Sequence, residues 1–309
     1  MELGLYTDSL PEHTFEGALD VAARVGATAI EIATGGQSRA PHLRLDELLA
    51  DGGRRAAFLD AFASRGLRIA ALNCSAWPLH PAHGERHVAI IRSTIRLAAA
   101  LGVTKLVTMS GNPGDGPAGT AVNFVWYPWP DDSIALLDRQ WEDAIALWRG
   151  LAEEARAAGI QSLAFELHPL HLVYNVPTFE RMRDAVGPII GVNLDPSHLF
   201  WQGMDPIAVV RALRRAVTHV HLKDTEVVAD QVALAGVLDS RSFADPARRG
   251  WVFRSAGSVH DRDWWAEFVD ALREVGYDDA LSIENEDASL PPEASVEAAA
   301  RFIRPLLEG

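Results

Sequence analysis

The sequence predicts an α/β protein built as a single (β/α)8 barrel, the TIM-barrel architecture, over residues 1–309. Short apolar runs alternate with helical patterns eight times, which indicates parallel strands joined by crossover helices. Eight such units fit the chain length, and no shift in composition divides them. An open doubly wound sheet would normally carry a glycine-rich phosphate loop after strand one, whereas residues 7–11 read TDSLP. The barrel is therefore the predicted fold.

The predicted strands are short runs rich in apolar and β-branched side chains, bounded by polar or glycine-containing segments. Several of them are apolar at nearly every position, as expected for strands that are covered on both faces. In order along the chain, they are predicted at residues 3–7, 29–33, 68–74, 105–110, 162–166, 190–194, 218–222 and 280–283.

The predicted helices combine an apolar stripe at helical spacing with clear end signals. In the first helix, Thr14 is the predicted N-cap and Gly26 the predicted stop. The second helix is predicted to break at residues 52–53, which are both glycine, and Pro206 suits the first turn of the sixth. In order, they are predicted at residues 14–26, 44–65, 85–101, 133–158, 177–186, 206–216, 262–276 and 293–307.

Two long loops interrupt this alternation, and we expect both to lie at the active site. Residues 111–132 follow strand four and contain four large aromatic side chains: Phe124, Trp126, Tyr127 and Trp129. Residues 225–261 follow strand seven and are predicted to be irregular. Loops of this length usually carry function, and exposed aromatic clusters are costly. A passive surface insertion is the alternative for the first loop.

Composition excludes several classes of function. Acidic residues outnumber basic ones by 42 to 28, which argues against a nucleic-acid partner because phosphate binding needs a basic face. The single cysteine, Cys74, rules out an intrachain disulfide and suits a reducing cytoplasm. No apolar run approaches the length of a membrane span, and residues 1–10 lack a signal-peptide pattern. We therefore predict a cytoplasmic protein without a membrane partner.

Four segments end in carboxylates or imidazoles directly after predicted strands. They read AFELHP, VNLDPSH, HVHLKD and LSIENED, at residues 164–169, 192–198, 219–224 and 281–287. The C-terminal ends of barrel strands meet on one face, and neighbouring strands are about 5 Å apart. We therefore predict one divalent-metal site with four ligands: Glu166, Asp195, His221 and Glu284. Three carboxylates and one imidazole suit Mn²⁺, with Mg²⁺ or Co²⁺ as alternatives.

Some of these residues also have a structural interpretation. Asp195 could instead cap the following helix, and His219 or His221 could be a hydrogen-bonded core histidine. Glu166 and Glu284 are harder to explain in this way, because burying an unpaired carboxylate is costly. The coincidence of all four favours the metal site.

The combined pattern resembles the xylose isomerase-like TIM-barrel sugar isomerases and epimerases over essentially the whole chain. It consists of a glutamate after strand five, D-x-x-H after strand six, H-x-H-x-K-D in strand seven and a glutamate after strand eight. The resemblance implies that Glu166 and Glu284 bind the metal and act as the catalytic acid/base pair beside a sugar carbonyl. It implies that Asp195 and His221 are ligands only, and that His198 contacts a substrate oxygen.

The chain departs from the ketose 3-epimerases of that family. No arginine follows the predicted metal histidine within residues 224–228, and the segment between His221 and Glu284 is far longer than in compact epimerases. The aromatic-rich loops instead resemble those of the large subunits of bacterial C-glycoside deglycosidases, which act on 3-oxo-glycosides. Those deglycosidases release the aglycone by β-elimination. Isomerisation, epimerisation and β-elimination all begin with removal of a proton beside a carbonyl. The four ligands alone therefore do not choose among them.

Further residues are predicted to bind substrate. His168 either reaches the substrate or orients a ligand, and His80, with Trp77 in the strand-three loop, is a candidate of the same kind. Lys223 either neutralises a developing oxyanion or anchors the strand-seven loop through a salt bridge. Arg254, in the second long loop, could bind an anionic substrate group.

The primary functional prediction is a metal-dependent enzyme that enolises a small carbohydrate, and the alternative is a C-glycoside deglycosidase-type lyase. A more remote alternative is an apurinic-site endonuclease on the same barrel, against which the acidic charge counts. Another is a non-catalytic sugar-binding subunit, which predicts a missing ligand, whereas none is missing. We expect an oligomer, with or without a smaller partner subunit.

Overall fold

The computed structural model describes residues 1–116 and 119–308 and confirms the predicted barrel. Eight parallel strands close in the order β1-β2-β3-β4-β5-β6-β7-β10, and β8 pairs antiparallel with β9 outside the barrel. The strands are β1 Glu2–Tyr6, β2 Ala29–Ala33, β3 Arg68–Asn73, β4 Lys105–Thr108, β5 Ser162–Glu166, β6 Ile190–Leu194, β7 Val217–Leu222, β8 Asp224–Val227, β9 Trp251–Arg254 and β10 Ala280–Ile283.

The helices surround the barrel. They are α1 Phe15–Val25, α2 Leu45–Ala50, α3 Gly52–Ala63, α4 Gly84–Leu101, α5 Asp131–Ala157, α6 Val176–Val186, α7 Pro196–Phe200, α8 Pro206–Leu213, α9 Ala229–Ala235, α10 Arg262–Glu274 and α11 Pro292–Leu307. None of the helices in residues 1–116 and 119–308 is both long and apolar enough to cross a membrane.

The predicted ends of the first helix are confirmed by cap geometry, whereas the sixth predicted helix ends at Leu213, three residues early. The Thr14 hydroxyl accepts a hydrogen bond from the Gly17 amide at 3.1 Å, and Gly26 adopts φ +84°, a left-handed conformation that glycine adopts without strain. The predicted break in the second helix is also confirmed, and it falls at Asp51. The Asp51 carboxylate accepts from the Gly53 amide at 2.7 Å and so begins α3.

Side-chain alternation decides what lies inside the barrel, because successive residues of a strand point to opposite faces. On β2, Ile30 and Ile32 join the apolar core between strands and helices, while Ala29 belongs to a small interior alanine cluster. The interior is tightly packed around β6. A Cβ at Gly191 on β6 would lie 2.3 Å from the Thr218 hydroxyl oxygen. Polar residues fill the interior toward the C-terminal ends of the strands.

The prediction that residues 225–261 are irregular is wrong. The segment at residues 224–254, here called the β8–β9 segment, contains an antiparallel strand pair and helix α9 between its strands. Its strands are only four residues long, and more than twenty residues separate them in the chain. No local sequence pattern therefore predicts that they pair. Helix α7 was also missed, since five residues are too few to show a helical period.

Candidate active site

The C-terminal ends of four strands bring the predicted metal ligands together. Glu166 ends β5, Asp195 follows β6, His221 lies in β7 and Glu284 follows β10. His221 Nδ1 lies 3.1 Å from Glu284 Oε2 and 3.5 Å from Glu166 Oε2. Asp195, His221 and Glu284 also offer ligand atoms that all lie within 4.8 Å of one another. The structure therefore assembles the four side chains at one place, where Glu166 and Glu284 line the floor of a cavity.

Asp195 serves two purposes with its two oxygens. Oδ1 accepts a hydrogen bond from the Ser197 amide at 2.9 Å and caps α7, as the structural interpretation of this residue predicted. Oδ2 lies 3.3 Å from His198 Nε2 and 2.9 Å from Lys223 Nζ, yet it accepts no well-aligned hydrogen bond within the described residues. Capping and ligation are thus compatible, because each uses a different oxygen.

Lys223 is almost fully buried and contacts carboxylates on two sides of the site. Its Nζ donates to Glu284 Oε2 at 2.6 Å and to Glu286 Oε2 at 2.8 Å. Burial opposes the charge of the ammonium, but Asp195, Glu284 and Glu286 outweigh it and hold the pKa of Lys223 well above its ordinary value. Lys223 therefore balances part of the negative charge of the predicted ligand set.

A second buried layer lies beneath the predicted ligands. Glu31, on β2, accepts hydrogen bonds from His219 Nε2 at 2.7 Å and from His221 Nε2 at 3.0 Å, and none of the three is exposed. Burial opposes the charge of His221, but Glu31 and Glu284 outweigh it and hold the pKa of this imidazole well above its ordinary value. His219 thus lies one layer deeper than His221 and points the same way.

The donor set fits a divalent cation. Glu166, Asp195 and Glu284 bring three carboxylates to a buried place, and such a concentration of like charge is costly without a compensating cation. His221 presents Nδ1 to these carboxylates, while its Nε2 is held by Glu31, the arrangement in which a metal-binding histidine keeps a fixed orientation. Oxygen-rich sets of this kind suit Mn²⁺, Mg²⁺ or Co²⁺.

Two further histidines lie beside the carboxylates. His198 Nε2 donates to Glu166 Oε1 at 3.0 Å, and the His198 and His168 ring centroids are 4.2 Å apart. Burial, with the electrostatic effect of the neighbouring His198 ring next in size, lowers the pKa of His168 well below its ordinary value, so the His168 ring is neutral at pH 7. Both residues line the large cavity.

The cavity above this floor has a volume of about 1090 Å³. Loop residues 111–132 contribute Phe124 and Trp126 to its lining. Trp126, Tyr127 and Trp129 are all more than half exposed. Residues 117 and 118 of that loop lie outside the described residues. The first long loop therefore borders the cavity, and its place at an active site stays a prediction.

Three predicted substrate contacts do not line the large cavity. Trp77 borders a separate pocket of about 310 Å³, and His80 stacks on Trp77 with ring centroids 5.7 Å apart. Arg254 instead pairs with Glu226 at 2.8 Å and with Asp287 at 3.4 Å, which binds β9 to β8 and to the loop after β10. These contacts give all three a structural explanation that their loop positions in the sequence did not reveal.

Comparison with known proteins agrees with this architecture. The family model described as "Xylose isomerase-like TIM barrel" matches residues 19–306. The chain belongs to this family. It is 41% identical over 308 residues to the uncharacterized protein YfiH of Bacillus subtilis strain 168, and the match covers 98% of each chain.

Two solved structures are similar to this chain in fold. The probable 3-DHS dehydratase AsbF of Bacillus anthracis, from petrobactin synthesis, matches with a TM-score of 0.70 and 17% identity, covering 98% of this chain and 99% of the other. A D-psicose 3-epimerase determined with D-fructose matches with a TM-score of 0.64 and 14% identity, covering all of both chains. At these identities, the likeness establishes the fold alone.

Sequence reasoning missed one residue of the site and foresaw one wall of the cavity only in part. Glu31 lies in an ordinary apolar strand, AIEIA, and a single charged residue inside a buried run was the only signal of its role. Of the wall formed by Trp201, Phe243, Trp251 and Phe253, the sequence indicated only the aromatic residues of the second long loop. These four are dispersed over more than fifty residues, and only folding brings them together.

Proposed function

We propose that this protein is a divalent-metal-dependent enzyme that removes a proton next to the carbonyl of a carbohydrate. Glu166 and Glu284 would be the acid/base pair as well as metal ligands, with Asp195 and His221 as ligands only. The observation that carries the proposal is the convergence of both glutamates on His221 Nδ1, at 3.5 and 3.1 Å. The dehydratase and epimerase names of the two fold neighbours are compatible with such chemistry.

The two glutamates reach the site from different sides. Glu166 comes from β5 and Glu284 from beyond β10, with β6 and β7 between them in the barrel. One carboxylate can therefore remove a proton from a substrate carbon while the other returns one at another position. A bound dication would polarise the substrate carbonyl and so acidify the neighbouring C–H.

Neighbouring side chains hold the two glutamates in place. Asn193 Nδ2 donates to Glu166 Oε2 at 3.0 Å, and His198 Nε2 donates to Glu166 Oε1 at 3.0 Å. Lys223 holds Glu284 through a contact of 2.6 Å and is close enough to the floor to balance negative charge that develops on a substrate oxygen. His168, being neutral, can donate or accept a hydrogen bond with a sugar hydroxyl.

The test is exchange of substrate hydrogen with solvent. Protein loaded with Mn²⁺ is incubated in D₂O with a ketose and, separately, with a 3-oxo-glycoside, and deuterium uptake is followed by NMR. Glu166→Gln and Glu284→Gln should reduce uptake to background, while Glu154→Gln, a surface change on α5, should not. Metal analysis should give one ion per chain. Substantial uptake in either glutamine variant would refute the acid/base pair.

Elimination from a 3-oxo-glycoside, as in C-glycoside deglycosidases, is the second candidate. The observation in its favour is the size of the cavity, which at about 1090 Å³ lies at the upper end of ordinary small-molecule sites. Product analysis of the same incubations separates the two outcomes, since epimerisation yields an isomeric sugar and elimination yields a free aglycone. Manganese as the natural metal, a cytoplasmic location and an oligomeric state, with or without a smaller subunit, stay predictions.

A further inference from the structure

The large cavity has two chemically different walls above the carboxylate floor. One wall follows β1, β2 and β3 and is polar, with lining residues Asp8, Ser9, Gln37, Ser38 and Ser75. The other wall follows β6 and β7, which lie across the barrel from β2 and β3, and is aromatic, with lining residues Trp201, Phe243, Trp251 and Phe253. The polar wall offers hydrogen-bond partners to the hydroxyls of a sugar, whereas the aromatic wall offers ring faces.

The aromatic wall is an organised stack. The Trp201 and Trp251 rings are parallel within 3° with centroids 4.6 Å apart. The ring centroids of Phe253 and Trp251 are 5.3 Å apart. The Phe243 ring is nearly parallel to the Phe253 ring, with their centroids 6.2 Å apart. Phe243 is 59% exposed, so part of this surface is open to a ligand. Stacked rings of this kind offer planar groups an offset or edge contact.

A buried arginine holds the wall together. The Arg249 guanidinium carbon lies 3.9 Å from the centroid of the Phe243 ring and 4.8 Å from that of the Trp251 ring, and the residue is only 1% exposed. Its guanidinium donates to the backbone carbonyls of Trp251 and Arg241. The rings are thus fixed by cation–π contacts and hydrogen bonds before any ligand arrives.

The aromatic wall begins at the reacting groups. Lys223 Nζ lies 4.7 Å from the centroid of the Phe253 ring. The ring centroids of His198 and Phe253 are 5.3 Å apart. A planar group stacked against this wall therefore lies next to a carbohydrate held over the floor. A direct bond or a single bridging atom between the two parts of such a ligand matches these short distances.

We propose that the aromatic wall is a subsite for an aryl group joined to the carbohydrate directly or through a single atom. This inference rests on the proposed function, because it assumes that the carbohydrate occupies the floor. A second sugar ring is a less suitable occupant, because the nearby lining residues Leu170, Val237 and Leu238 are apolar. The Asp239 carboxylate beside them is already paired with Arg241, and Ser240 adds a single hydroxyl.

The test compares binding of phenyl β-D-glucopyranoside, methyl β-D-glucopyranoside and cellobiose to the Mn²⁺-loaded protein by calorimetry. The phenyl glucoside should bind at least about tenfold more tightly than the other two, since stacking and burial of one ring supply that much. Trp201→Ala and Phe243→Ala should reduce phenyl glucoside affinity towards that of the methyl glucoside and leave the latter unchanged. Trp129→Ala is the matched control, because Trp129 is 71% exposed outside the cavity.

Equal affinity for the phenyl and methyl glucosides, a cellobiose affinity equal to that of the phenyl glucoside, or a preference that persists in both variants would overturn the subsite. Deuterium exchange measured on the same unaltered protein separates this outcome from failure of the proposed function. Exchange without a phenyl preference in the unaltered protein overturns only the subsite, and a phenyl preference without exchange overturns only the proposed chemistry.

Discussion

Glu31 Oε2 lies 3.0 Å from His221 Nε2, although the two residues are 190 positions apart in the chain. This contact spans the barrel interior from β2 to β7 and leaves His221 Nδ1 facing Glu166 and Glu284. A carboxylate in this position orients the imidazole and increases its basicity as a ligand. Glu31 is thus a positioning residue for the proposed metal site.

Glu31→Gln should weaken Mn²⁺ binding by about 10- to 100-fold, the usual effect of losing such a partner. The glutamine is isosteric, but it removes the charge that supports the imidazole. Titration calorimetry with Mn²⁺ measures the change, and circular dichroism verifies the fold. Glu154→Gln, which alters only a surface pair with Arg92, should leave the affinity unchanged. Unaltered Mn²⁺ affinity in Glu31→Gln would exclude the positioning role.

Lys223→Met should change stability and metal affinity in opposite directions. Without metal, loss of the ammonium leaves the Asp195 and Glu284 carboxylates uncompensated, which should cost about 3–5 kcal/mol in the free energy of unfolding. Mn²⁺ affinity should rise, since a competing cation has been removed from the same oxygens. Urea unfolding in EDTA and Mn²⁺ titration measure the two effects.

The chain's only other lysine supplies the control for this experiment. Lys105 is also buried, but it pairs with Asp279 at 2.6 Å, at the opposite end of the barrel. Lys105→Met should therefore lower stability without altering Mn²⁺ affinity. If Lys223→Met bound Mn²⁺ no better than the unaltered protein, charge balance by Lys223 would be disproved.

Asp8→Asn should stabilise the metal-free protein near neutral pH. Burial, with the charges of Glu284 and Glu31, raises the pKa of Asp8 to about 6, so the folded state binds a proton that the unfolded state releases. The stability from Asp8 is therefore fully present below its unfolded pKa of about 4 and lost as pH rises through about 6.

The expected gain for Asp8→Asn is about 2–3 kcal/mol near pH 7 and close to zero near pH 4, because the neutral amide avoids the cost of burying a charge. Urea unfolding in EDTA at the two pH values measures the difference. An equal effect of the substitution at both pH values would show that proton binding at Asp8 is not its cause.

Gly191→Ala and Gly150→Ala should have opposite effects on stability. A Cβ at Gly191 would lie 2.3 Å from the Thr218 hydroxyl and 2.7 Å from the Ser162 hydroxyl, inside the barrel, so a loss of about 1–3 kcal/mol is expected. Gly150 lies within α5 with open space around it, so alanine there should add about 0.5–1 kcal/mol. Thermal unfolding of the two variants measures both effects, and a stable Gly191→Ala protein would contradict the packing argument.

Local sequence patterns were enough to predict the barrel and the meeting of its predicted metal ligands. Strand periodicity and glycine stops are local signals, and they located all eight barrel strands to within two residues. Glu166, Asp195, His221 and Glu284 could be predicted to meet because any (β/α)8 barrel brings the C-terminal ends of its strands together. This inference required only the order of the strands.

The partners of these residues, by contrast, follow from three-dimensional packing. Glu31 belongs to the site because β2 and β7 enclose the same interior, and the aromatic wall exists because the β8–β9 segment places Trp251 against Trp201. Likewise, Trp77, His80 and Arg254 were expected near the substrate because of their loops. Trp77 and His80 instead stack on each other, and Arg254 forms ion pairs, outside the lining of the large cavity. Such contacts depend on the path of the chain in space, and residues far apart in sequence carry no local pattern that records them.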